Sequence, residues 1–214
     1  MSITTSDMQA IITAISEALS AEKATLNALD AELGDGDHGT TICAGFDQAV
    51  KDIADADSPA QVLYLTAKTL MNRMGGSSGA LFGTLFLRAS MTVKGAETLS
   101  NEQFVAMWQA GLEGVKKRGK AEVGDKTMVD ALSPAVSALA QAVYDGKTTL
   151  EALKSAMQSA HDGAQATIPM QAKYGRARYL GERAIGHVDA GAQSIALLFN
   201  ALFTYWKEQE NGKT

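Results

Sequence analysis

The chain has 214 residues, 46% hydrophobic and 20% charged, with a formal net charge of -5, which suits one large soluble domain able to bury about 70% of its unfolded surface. The acidic balance argues against nucleic-acid binding, which depends on clustered Lys and Arg, and the single cysteine, Cys43, excludes an intrachain disulfide and a cysteine-rich zinc site. Met1-Ser2-Ile3-Thr4 lacks the character of a secretory signal and the apolar stretch Ile195–Phe203 is too short to span a bilayer, so a cytoplasmic protein without membrane contact is expected.

Helical spacing dominates the chain. Ser6 with Gln9 reads as a capping box, opening a first helix with Ile11, Ile12, Ile15, Leu19, Leu26 and Leu29 on one face. A second helix is expected from His38 to about Ala54, with Cys43 on it as a buried structural thiol. Ser58-Pro59 supplies an N-cap and first-turn proline for a third, ending near Gly75. The fourth runs from Ser77–Gly79 to Lys94-Gly95, and Ser100 with Gln103 caps a fifth. A sixth opens near Thr127, where Pro134 predicts a bend or the true first turn. Thr148 with Glu151 caps a seventh, and the last begins near Asp189. Between those two lies Met170–Val188, a long loop carrying Lys173, Arg176, Arg178 and Arg183; loops of that length are usually functional or disordered. No segment alternates as a strand would. A single all-α domain over residues 1–214 is expected.

The densest chemistry is Gly34-Asp35-Gly36-Asp37-His38-Gly39-Thr40-Thr41, with Asp30 just before it. Carboxylates are the hard ligands Mg²⁺ takes, often together with phosphates, and free N–H groups of a helix starting at His38 favour an anion beside them. A solvated, inert turn fits the same residues. The tract departs from the EF-hand template, and Gly75-Gly76-Ser77-Ser78-Gly79 departs from the Walker pattern because no GK[ST] follows. His161 reads as structural, and a triad of Ser, His and Asp has no nucleophile-elbow sequence to support it. What favours a site is regularity. Gly34–Thr41, Gly75–Gly79, Gly119–Thr127 and Gly186–Gly191 follow the first, third, fifth and seventh helices, and in an up-and-down bundle such loops emerge at one end.

Taken together, Gly34–Gly39, Gly75-Gly76-Ser77-Ser78-Gly79-Ala80-Leu81-Phe82-Gly83, Gly119–Met128, Gly175–Arg183 and Gly186-His187-Val188-Asp189-Ala190-Gly191 resemble the L-type, nucleotide-binding subunit of dihydroxyacetone kinases over nearly the whole chain. Ala190 stands where that family usually has proline. The resemblance implies a barrel of eight antiparallel amphipathic helices holding ADP or ATP at one end through two Mg²⁺ ions. It implies Asp30, Asp35 and Asp37 as Mg²⁺ ligands, and His38, Gly39, Thr40, Thr41, Ser77 and Ser78 around the phosphates. Gly119 and Met128 would border the adenine, Arg176 would reach the phosphates as the catalytic arginine, and Asp189, Ala190 and Gly191 would close the site. It further implies a K-type subunit that holds dihydroxyacetone and an M-type phosphohistidine subunit that recharges bound ADP from phosphoenolpyruvate. Two alternatives stay open: an ATP-dependent split kinase for dihydroxyacetone or another small polyol or keto-sugar, and a regulatory subunit signalling nucleotide state to a transcriptional regulator.

Overall fold

The structure is a computed structural model that describes residues 2–212; Met1 and Lys213–Thr214, the ends of the expected 1–214 domain, lie outside the described residues. The helices are α1 (Thr5–Ala21), α2 (Lys23–Leu33), α3 (His38–Asp52), α4 (Pro59–Arg73), α5 (Gly76–Thr92), α6 (Asn101–Gly119), α7 (Val129–Tyr144), α8 (Thr149–Ala166) and α9 (Ala190–Asn211), with a 3-10 segment at Ala177–Ala184.

The expected first helix is two. Glu22, with φ -103° and ψ 13°, breaks it, so that α1 and α2 form one bent stave. Its cap is also corrected: Thr4, not Ser6, is the N-cap, accepting from the Asp7 N–H at 3.1 Å while the Asp7 carboxylate accepts the Thr4 N–H at 2.8 Å. A charged carboxylate is the stronger capping partner, and the Gln9 amide instead donates to the carbonyls of Ile53 and Ala54. The expected caps of α4, α6 and α8 at Ser58, Ser100 and Thr148 are present. Pro134 lies inside α7, beyond its first turn. Its missing N–H frees the Asp130 carbonyl, and Gly163 of α8 packs against that carbonyl so closely that a Cβ there would sit 2.2 Å from it.

Neighbours in sequence are neighbours in space from α3 through α9, and α1 packs on both α3 and α9, closing the ring. Counting α1 and α2 as one stave, the barrel has the eight expected members. Its inside is apolar: Phe46, Phe86, Phe104, Trp108 and Phe199 touch edge-to-face or tilted, with centroids 5.1–6.5 Å apart. A void of about 10 Å³ remains beside Trp108, whose indole N–H has no partner. Ile3 and Leu99 exchange two backbone hydrogen bonds of 2.9 Å and pin the chain's start to the α5–α6 turn. Among the described residues no helix is long and apolar enough to cross a membrane.

Candidate nucleotide and metal site

The four Gly-rich segments do converge. They frame one cavity of about 740 Å³ at the end of the barrel where α3, α5, α7 and α9 begin, a volume typical of small-molecule sites.

One side of this cavity is acidic. Asp30 lies in the last turn of α2, and its Oδ2 accepts the N–H groups of Asp37 (3.0 Å) and His38 (3.2 Å). Gly34 is needed for this, because a Cβ there would lie 2.5 Å from Asp30 Oδ1. Asp35 and Asp37 join Asp30 so that one carboxylate oxygen from each lies within 4.8 Å of the others. Asp35 pairs with the Arg176 guanidinium from the long loop. An all-carboxylate oxygen set of this spacing, half open to solvent, fits a hard divalent cation and suits zinc poorly.

The first turn of α3 is engaged by side chains of the preceding helix. In the first turn of α3, Asp37 and His38 give their N–H groups to Asp30, and Thr40 gives its own to Asn27 Oδ1 at 2.9 Å. Gly39 packs against α2, where a Cβ would lie 2.2 Å from the Lys23 carbonyl oxygen, and the Thr40 hydroxyl accepts from Asn27 at 3.0 Å. Gly39 and Thr40 therefore line no part of the cavity, whereas His38 and Thr41 do. At this mouth the start of α5 also lacks a side-chain cap. Gly75 precedes it, Gly76 has φ 64°, and a Cβ on either glycine would meet nothing within 4 Å. No described residue accepts the N–H groups of Gly76, Ser77 or Ser78, and the helix dipole lies behind them.

The opposite wall is apolar, made of Leu81, Phe82, Val115, Ala121, Met128 and Val129. Gly119 lies against Leu81 and Gly191 against Met128, so both glycines thin the wall. The loop between α6 and α7 holds its shape with two buried carboxylates. Asp130 accepts from the N–H groups of Gly124 (2.6 Å) and Thr127 (2.7 Å). Asp125 accepts from Glu122 N–H at 2.8 Å and the Lys173 ammonium at 2.6 Å, and these bonds hold its carboxyl below the usual range. These two acids are spent on structure.

Asp189 caps α9 by accepting the Ala192 N–H at 2.8 Å; burial pushes its pKa up to about 6, with Asp130 adding to the rise and Lys126 opposing it. Lys126, 2% exposed and at φ 58°, donates to the carbonyls of Thr167 (2.6 Å) and His187 (2.5 Å). It ties together the two ends of the Met170–Val188 loop. That loop is docked on α2: Ala172 and Ala184 bury Leu33, with Ala177 and Leu180 alongside. His38 is buried, which lowers its pKa against the pull of Asp30 and Asp37.

Of the expected residues, Asp30, Asp35, Asp37, His38, Thr41, Ser77, Ser78, Gly119, Met128, Arg176, Asp189, Ala190 and Gly191 all line this cavity. Sequence reasoning gave no role to Arg73, Arg118, Lys126 or Tyr174, which also line it. Arg73 and Arg118 fall just outside the Gly-rich stretches; their placement at the last turns of α4 and α6, the helices that end at this mouth, was the available signal.

Residues 32–204 match the family model described as the DAK2 domain. The chain is 41% identical over 211 residues to the PEP-dependent dihydroxyacetone kinase, ADP-binding subunit DhaL, of Escherichia coli (strain K12), covering 97% of this chain and 100% of that protein. It is 39% identical over 188 residues to the PTS-dependent dihydroxyacetone kinase, ADP-binding subunit DhaL, of Lactococcus lactis, covering 87% and 90%. Its structure superposes on the dihydroxyacetone kinase of C. freundii in complex with AMP-PNP and Mg²⁺ with a TM-score of 0.73 and 30% identity, over 95% of this chain but 34% of that one.

Proposed function

The chain belongs to the DAK2-domain family, and from that premise we propose that it is the nucleotide-binding subunit of a phosphoenolpyruvate-dependent dihydroxyacetone kinase. The observation that carries this reading is the division of one cavity between a three-carboxylate end and an apolar end, with an uncapped helix start at its edge. A nucleotide needs those three surroundings at once: a dry wall for the base, N–H donors for the phosphates, and cation ligands beside them.

Asp30, Asp35 and Asp37 would hold Mg²⁺, two ions in this reading, which would supply positive charge against the transferring phosphoryl group. Asp30 is pre-aimed by its two N–H donors. Ser77, Ser78 and the first N–H groups of α5 would bind phosphate oxygens, with Thr41 and His38 across from them. Arg176, on the docked loop, would turn from Asp35 to the phosphates. Met128, Gly119 and Gly191 would receive the base, with Asp189 and Ala190 closing that side. Among the described residues none is a general base aimed at an acceptor hydroxyl; the triose would sit on a K-type partner, and an M-type partner would recharge ADP.

Two experiments separate the donor readings. The purified protein should carry ADP that exchanges slowly in Mg²⁺, because a coenzyme has to outlast many turnovers. With K-type and M-type partners and phosphoenolpyruvate it should form dihydroxyacetone phosphate without free ATP. Nucleotide that exchanges within a turnover, together with sustained synthesis from ATP and the K-type partner alone, would establish ATP as the donor instead.

A further inference from the structure

His38 and Ser194 meet inside the barrel where α3 and α9 begin, behind the cavity wall. Ser194 is 1% exposed, and its Oγ lies 2.8 Å from His38 Nε2 and 3.0 Å from the carbonyl oxygen of Ala190, one turn back on α9. A carbonyl only accepts, so the single hydroxyl hydrogen of Ser194 goes to Ala190 and leaves the histidine a lone pair. Nε2 then carries the ring hydrogen. The reverse arrangement, with Ser194 donating to the ring, strips the Ala190 contact of its hydrogen. The other ring nitrogen, Nδ1, makes no hydrogen bond to any described residue, on a side chain that lines the cavity beside Asp30 and Asp37.

We propose that Ser194 is a positioning residue of this site: it fixes His38 as the Nε2–H tautomer and so presents Nδ1 to the cavity as an acceptor for a metal-bound water of the Mg-nucleotide. This rests on the nucleotide-and-metal reading of the cavity. A bare lone pair repels phosphate oxygens, whereas water on a cation is a strengthened donor. Outer partners of this kind orient the groups around a metal, and removing one typically costs tenfold or more in affinity. Ser194 also links α3 to α9, so the side chain facing the metal ligands is oriented from a helix that supplies none of them.

Long-range ¹H–¹⁵N spectra of ¹⁵N-histidine protein at pH 8, without nucleotide and assigned through His161→Gln and His187→Gln, test the first half. His38 should show a protonated Nε2 and a bare Nδ1; Ser194→Ala should mix the two tautomers, and Ser194→Thr should restore the single one. Calorimetry tests the second half: Ser194→Ala should weaken Mg-ADP binding about tenfold yet leave binding of ADP in chelator unchanged, with Ser194→Thr close to the parent. A protonated Nδ1 in the parent overturns the proposal. So does a Ser194→Ala protein that keeps the tautomer, or one that loses affinity equally with and without Mg²⁺, since that is a structural role alone. Should Ser194→Ala fail to fold, the parent and Ser194→Thr spectra decide. If the parent binds no Mg-ADP at all, the functional reading fails, and the spectra still report on the tautomer.

Discussion

At the scale of single residues, the carboxylates at this end of the barrel do different work. Asp125 and Asp130 are engaged by backbone N–H groups and Lys173, while Asp35 and Asp37 are exposed, Asp35 beside Arg176, and Asp30 accepts from the Asp37 and His38 N–H groups. Two substitutions should therefore act with different signs. Asp37→Asn should weaken binding of both Mn²⁺ alone and Mg-ADP, with helix content unchanged by circular dichroism. Arg176→Ala removes the guanidinium that pairs with Asp35; it should leave Mn²⁺ alone binding as tightly or more tightly, and weaken Mg-ADP. Parallel losses in both titrations for Arg176→Ala would mean that the arginine does not compete with the cation. Asp189 predicts a pH effect. Its carboxyl is pushed from 3.8 to about 6, so the folded state holds its proton more tightly than the unfolded chain does. The stability this gives is full below about pH 4 and lost as pH rises through 6. Asp189→Asn keeps an acceptor for Ala192 and has no such loss, so its urea midpoint relative to the parent should be higher at pH 7.5 than at pH 5.

At the scale of elements, periodicity located every stave, because each helix buries one face and water wets the other. Caps at Ser58, Ser100 and Thr148 were legible for the same local reason. The break at Glu22 was not: Leu19 and Leu26 keep helical spacing across it, and the bend lies where Gly39 of a later helix packs against the Lys23 carbonyl. Nor was it legible which helix start stays open. His38–Thr41 looked free in one dimension, but Asp30 and Asn27 reach it from the neighbouring helix. The long loop looked mobile by length and charge, and its docking depends on Leu33 and on Lys126, a residue far away in the chain. Lys126→Met should leave the buried Thr167 carbonyl and the part-buried His187 carbonyl short of a donor, at a cost of about 2–4 kcal/mol. Trypsin should then cut at Arg178 and Arg183 faster than in the parent, with Mg-ADP restoring protection only in part. Unchanged cleavage would assign the loop's order to its contact with α2 alone.

At the scale of the whole molecule, the ring is the organising fact. Its closure was expected from the family resemblance, and the four converging loops were legible from their even spacing, whereas the partners of each side chain depend on contacts between distant helices. The seam where the ring closes is between its first and last staves: Tyr205, near the end of α9, donates to Asp7, at the start of α1, at 2.8 Å. The start of α1 and the end of α9 therefore sit at the pole away from the cavity, separated from it by the length of α9, about 33 Å at 1.5 Å per residue. A topological freedom follows. Joining the ends through a short Gly-Ser linker and reopening the chain at the exposed Asp145-Gly146-Lys147 turn, between α7 and α8, cuts no stave and touches no cavity loop. Such a circular permutant should fold and bind Mg-ADP with the parent's affinity. A permutant that folds but binds weakly would show that tension along the chain, and not only packing, sets the mouth of the barrel. For the same reason, any domain tethered to either end has to reach around the barrel, not through it, to meet the phosphates.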